Sequence, residues 1–173
     1  DVITRTAFVT GGTRGIGKAI VQRLKEDGLQ VAAGYSGNTE AAEATARELG
    51  VMVVKGNVGS FEDCQRAVAE VEAQLGPIDV LINNAGIQPI SERRTSADGF
   101  ELTFGIGHLG HFLLTGLLLP LLQAAPGPRV VTVSSMVHGQ GRIDWDDLQI
   151  EHGYSSQRAY NQTKLANLLF ARE

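Results

Sequence analysis

"TAFVTGGTRGIGKAIVQRLKEDG", residues 6–28, decides the fold. Its first part, "TAFVT" (6–10), is a short β-branched and apolar run, the pattern of a buried strand. "GKAIVQRLKEDG" (17–28) sets Ile20, Val21 and Leu24 on one side at helical spacing and stops at Gly28. Between them lies "TGGTRGIG" (10–17), with glycines at 11, 15 and 17. Such glycines let the backbone turn sharply and approach a pyrophosphate, while the helix N-terminus offers N–H donors and a favourable dipole. A glycine-rich turn alone is a weak sign, and the spacing here is G-x-x-x-G-x-G rather than G-x-G-x-x-G. Placed after a first strand and opening a helix, it points to a dinucleotide phosphate site formed by Gly11, Thr13, Arg14, Gly15, Ile16 and Gly17.

The alternation continues. "LQVAAGY" (29–35), "VMVVKG" (51–56), "IDVLINNAG" (78–86) and "RVVTVSS" (129–135) read as strands and strand ends. Helical patterns fall at 39–50, 61–76, about 100–123, and from about Ser156 onward. Strands this apolar suit a parallel sheet covered on both faces. The expected architecture is α/β: a doubly wound, Rossmann-type parallel sheet of order 3-2-1-4-5, in one domain over residues 1–173. Ligands in such sheets sit at the carboxyl ends of the strands, here between the first and fourth.

Bulk properties narrow the function. The chain has 173 residues, 43% hydrophobic and 20% charged, with net charge −4. That balance argues against nucleic acid or an anionic membrane surface as the main partner. Cys64 is the single cysteine, which suits a reducing compartment. With no signal-peptide pattern, a cytoplasmic protein is expected. The longest apolar stretch, "FLLTGLLLPLLQAA" (112–125), is too short for a membrane span and carries Pro120.

An acid at the end of the second strand would bind the adenosine ribose 2′-OH. That strand ends "AAGYSGN" (32–38), with no carboxylate before Glu40. Arg14, Tyr35, Ser36 and Asn38 instead supply a cation and polar groups suited to a 2′-phosphate. The expected cofactor is NADP(H) in preference to NAD(H); the plainer reading of Arg14 is a solvated loop residue.

"YNQTK" (160–164) places Tyr160 and Lys164 on one face of a helix. Alone, the pair reads equally as a proton donor with its tuning cation or as an ordinary helix. With "TGGTRGIG", "NNAG" (83–86) and "VSS" (133–135), it gives four motifs in an order and spacing that resemble the short-chain dehydrogenase/reductase family across nearly the whole chain. The resemblance implies Tyr160 as general acid or base, Lys164 on the nicotinamide ribose and lowering the Tyr pKa, and Ser135 orienting a substrate carbonyl. It also implies that Asn83, Ala85 and Gly86 border the cofactor, and that Asn57 and Val58 lie at the adenine. The chemistry is coherent, since a tyrosine of pKa near 10 needs a neighbouring cation to work near neutrality.

The sequence also departs from that family. An asparagine that relays protons through water to the lysine is replaced by Gly107 in "FGIGHLGHF" (104–112), so slowed turnover is expected. His108 and His111 read as packing or interface residues sooner than as a metal pair. Family members continue with further strands and a substrate lid, so the chain is expected to be C-terminally incomplete relative to them. Residues 5–87 resemble acetoacetyl-CoA and other 3-oxoacyl thioester reductases; residues 97–173 resemble retinol-dehydrogenase-type members. The expected activity is NADPH-linked reduction of a small-molecule carbonyl or the reverse; the alternative is a cofactor-binding but silent sensor or scaffold. Wide apolar faces at 100–123 and 156–172 point to a homodimer or homotetramer.

Overall fold

β1 (Thr6–Val9) is buried along its whole length and takes the centre of the sheet, paired in parallel with β2 (Gln30–Tyr35) and β4 (Ile78–Asn83). β3 (Met52–Lys55) joins β2, and β5 (Arg129–Thr132) joins β4, giving the order β3-β2-β1-β4-β5 in this computed structural model, which describes residues 4–172. Sheet order and direction are those expected from the sequence.

Helices fill the crossovers: α1 (Gly15–Glu26), α2 (Thr39–Leu49) and α3 (Phe61–Leu75). α4 (Leu102–Phe104) runs through a π-helical stretch (Gly105–Leu109) into α5 (Gly110–Ala124), and α6 (Ser156–Arg172) comes last. Asn38 accepts from Ala41 N to cap α2, and Ser60 accepts from Asp63 N to cap α3.

Because strand side chains alternate, each strand feeds two cores. Phe8, Ala32, Val54 and Leu81 meet Cys64, Val68 and Val71 of α3 and Leu114, Leu118 and Leu122 of α5. Ala7, Val9, Val31, Ala33, Val80 and Ile82 face the other way, onto Val21, Ile20 and Leu24 of α1 and Leu49 of α2. The continuous helix Leu102–Ala124 exceeds the 112–125 apolar stretch and is long and apolar enough to cross a membrane. Its leucines nevertheless build the core.

One expectation is corrected. β5 stops at Thr132, three residues short of Ser135, and is not a buried strand: it pairs only with β4 and leaves Val130 and Val131 over 40% exposed (42% and 47%). The buried residues of α6 are largely polar. Asn161, Gln162, Thr163, Lys164 and Asn167 are buried, while Leu168 and Leu169 point outward.

Leu118, fully buried, sets a direct test. Leu118→Ala is expected to lose about 2–5 kcal/mol in urea unfolding, since the helix cannot collapse onto the missing volume.

Candidate active site

Four strand ends open into one cleft of about 850 Å³ where the winding reverses between β1 and β4. From the β1–α1 turn come Gly11, Thr13, Arg14, Gly15, Ile16 and Gly17; from the end of β2, Tyr35, Ser36 and Asn38. Asn57 and Val58 follow β3, and Ala85 and Gly86 follow β4. The size is that of a cofactor site.

The β1–α1 turn is built for an anion. Unlike α2 and α3, α1 has no side-chain cap at its N-cap residue Arg14, and its first turn carries no acid. Its first N–H groups are left for a ligand, with the helix dipole behind them. Gly17 packs so tightly that a Cβ there would run into the Gly11 carbonyl oxygen, so only glycine brings the helix this close. The residues present therefore fit a dinucleotide pyrophosphate.

The adenosine end is polar and lacks a free acid. Asp63, the only carboxylate lining the cleft among the described residues, accepts from Asn57 N at 2.8 Å and from Arg66 at 2.7 Å. Those bonds, the Asn57 N–H foremost, hold its carboxyl below the usual range. Asn57 Oδ1 accepts from Gly59 N at 3.0 Å, which leaves Nδ2 as the group able to meet an adenine edge. Asn38 likewise spends its Oδ1 on the α2 cap at 2.9 Å.

Asn83 departs from expectation. It is fully buried and does not line the cleft; its Nδ2 donates to Thr115 (3.0 Å) and Thr132 (3.4 Å), tying β4 to α5 and β5. Asn84 reaches the cleft instead and donates to the carbonyls of Thr10 (2.8 Å) and Gly11 (3.3 Å), steadying the glycine turn.

Sequence reading missed Thr10. Its hydroxyl oxygen accepts from Asn84 N and Ala85 N, both at 2.9 Å, and lies 2.9 Å from His111 Nε2. The Gly107 carbonyl, 3.3 Å from Nδ1, can only accept, so His111 is the Nδ1–H tautomer; the Thr10 hydroxyl donates to Nε2, with the Ile82 carbonyl a longer second acceptor at 3.3 Å. Complete burial draws the His111 imidazole down to about 4.

Ser135, Tyr160 and Lys164 lie outside the cleft lining: Tyr160 and Lys164 on α6, and Ser135 after β5, next to residues bonded to that helix. Ser134 Oγ donates to the Lys164 carbonyl (2.7 Å), and Lys164 Nζ donates to the Val133 carbonyl (3.3 Å). These bonds fix residues 133–135 against one turn of α6. Lys164 Nζ lies 5.5 Å from the centre of the Tyr160 ring. Burial holds the Lys164 ammonium below the ordinary lysine range. Ser135 caps the 3-10 turn Met136–Gln140, and its carbonyl accepts from His138 Nδ1 at 2.7 Å. The group combines a hydroxyl, a phenol and a cation, the means to move one proton to or from an oxygen.

Comparison with known proteins bears on the family of this chain. A sequence model described as short chain dehydrogenase matches residues 5–146. Human (Homo sapiens) retinol dehydrogenase 14 is 37% identical over 188 aligned positions, covering 98% of this chain and 56% of that protein. Polyprenol dehydrogenase of Danio rerio is 41% identical, covering 96% of this chain and 54% of its own. The chain thus spans about half the length of the curated relatives it matches. Among solved structures, a blue fluorescent protein from a metagenomic library in complex with NADPH superposes with TM-score 0.73 at 30% identity, over 96% of this chain and 65% of that one.

The buried neutral His111 predicts an acid sensitivity. Its proton affinity is lower folded than unfolded, so the unfolded chain binds the extra proton between its ordinary value near 6.5 and about 4. Stability is therefore full above pH 6.5 and falls by about 3 kcal/mol as pH drops to 4. Half-buried His108, also lowered by burial, adds the same sign. Urea unfolding from pH 7 to 4 measures this, and His111→Gln is expected to flatten the slope.

Proposed function

The chain belongs to the short-chain dehydrogenase family, and on that premise we propose that it interconverts a carbonyl and an alcohol with NADP(H), using Ser135, Tyr160 and Lys164. The observation that carries this reading is the uncapped, glycine-built N-terminus of α1 together with a Tyr–Lys pair held against the end of β5. The cofactor, when bound, supplies or takes the hydride. Gly11, Gly15 and Gly17 hold its pyrophosphate, while Arg14 and Ser36 receive the 2′-phosphate. Preference for NADP(H) is supported by the missing acid at the end of β2 and by the NADPH complex of the structural relative.

Tyr160 donates its hydroxyl proton to the carbonyl oxygen as hydride reaches the carbon, and takes it back in the reverse direction. The Lys164 ammonium lies close to the Tyr160 ring and places a positive charge beside it. Ser135 Oγ hydrogen-bonds the same oxygen as charge gathers there. Retinol and polyprenol, in the names of the relatives, are long apolar primary alcohols, which supports an apolar alcohol or its aldehyde as substrate. Phe112 and Leu119 of α5 with Leu168 and Leu169 of α6 are exposed and support a homodimer through this face. The reduced, buried Cys64 supports a cytoplasmic location.

Titration followed by nicotinamide fluorescence is expected to give at least about tenfold tighter binding of NADPH than of NADH. Equal affinities would remove the 2′-phosphate site from the proposal. Tyr160→Phe is expected to abolish NADPH-linked aldehyde reduction while leaving NADPH affinity within about twofold. Equal inactivity of wild type and variant across apolar aldehydes would favour a silent cofactor-binding protein.

A further inference from the structure

Asn167 lies three residues beyond Lys164 on α6 and is 2% exposed. Its Nδ2 donates to the carbonyls of Gly107 at 3.0 Å and Val133 at 3.3 Å, and its Oδ1 lies 3.0 Å from His108 Nδ1. Two carbonyls can only accept, so the amide has one sensible orientation and His108 must carry its proton on Nδ1. The Val133 carbonyl that takes one Asn167 proton also takes the bond from Lys164 Nζ. We infer that Asn167 is the positioning residue for Lys164, gripping from behind the carbonyl to which the ammonium is tied and locking it to the π-helical turn at Gly107.

Three further observations support this. First, no side chain can enter from Gly107: a Cβ there would lie 2.7 Å from Thr163 Cγ2. Thr163 cannot step aside, because it is buried and its Oγ1 is held by the Ala159 carbonyl at 2.8 Å. The polar work in this gap falls to Asn167. Second, the Gly107 carbonyl, in the π-helical stretch, accepts from the side chains of both Asn167 and His111. Third, His108 is itself fixed, its ring 5.1 Å from Phe104 and 6.1 Å from Phe170, edge-on to the latter. Aromatic packing orients the histidine, the histidine orients the amide, and the amide holds the two carbonyls.

The test reads Lys164 directly and rests on the preceding functional reading only in its cofactor arm. The chain has four lysines, Lys18, Lys25, Lys55 and Lys164, so ¹³C at lysine Cε gives four signals, and Lys164→Met assigns the fourth. Tyr160 and the neutral His111 are the titratable neighbours of Lys164. In Asn167→Ala, water and motion are expected to raise the proton affinity of Lys164 about tenfold, the other three lysines staying as they were. His108→Phe touches no atom of Lys164 and suits the aromatic cluster; it is expected to move the Lys164 signal in the same direction. His108→Asn, which keeps a donor toward the amide, is expected to restore it. A Lys164 signal unmoved in both Asn167→Ala and His108→Phe overturns the inference and leaves Asn167 a packing residue. If Asn167→Ala does not fold, His108→Phe and His108→Asn decide alone. In the cofactor arm, NADPH affinity is expected to fall about tenfold in Asn167→Ala. A wild-type chain that ignores NADPH sinks the cofactor reading, while the lysine titration still decides the role of Asn167.

Discussion

The hydroxyl of Thr10 holds the cleft together. It sits where β1 ends, takes N–H bonds from the two residues that follow β4, and gives its own proton to a histidine on α5. Three elements far apart in sequence thus meet on one buried oxygen with all its capacity in use. The glycine turn leaves from Thr10, the strip Asn84–Gly86 is pinned by it, and the π-helical turn answers to it through His111. A buried hydroxyl with one partner missing would leave an unpaid donor or acceptor in the interior, so the arrangement holds as a unit.

The molecule divides its labour between the two sides of the sheet's active edge. Stability comes from the apolar layers, where Phe8 and Leu81 of the sheet pack against α3 and against Leu114 and Leu118 of α5. Near the proposed catalytic group the interior is polar: α6 buries Asn161, Gln162, Thr163, Lys164 and Asn167 along one stretch. Each finds a specific partner; Gln162, for example, donates to the Leu148 carbonyl and accepts from Asp144 N, fastening the loop that precedes α6. Such a layer adds less stability than leucines would, but it permits one arrangement rather than many.

The fold was legible because strand and helix periods alternate so plainly, and because a glycine such as Gly28 marks a helix end by local chemistry alone. Boundaries slipped where tertiary contact overrode propensity. α1 begins at Gly15, inside the glycine turn, since close approach matters there more than helix preference. β5 was misjudged as buried because "RVVTVSS" records apolar character but not position in the sheet. Of the candidate site, the residues of the glycine turn that line the cleft were readable, and the supports behind them were not. Asn167 meets Gly107 across 60 residues, and His111 meets Thr10 across 101. No local pattern announces such pairs. The one faint signal was the spacing of Phe104, His108 and Phe112, four residues apart on one helical face, which marks His108 as an oriented ring rather than a ligand.

The order of the strands is also an order of permanence. β1 is clamped on both sides by β2 and β4, whereas β5 is held on one side and shows its valines to water. Amide protons on the open edge of β5 exchange with solvent through small local openings, while those of β1 wait for nearly global unfolding. The glycine turn grows from the central strand and Ser135 follows an edge strand. On the proposed reading, the half of the cleft that would hold the phosphates rests on the more protected strand, and the half that would meet the reacting oxygen follows the more open one.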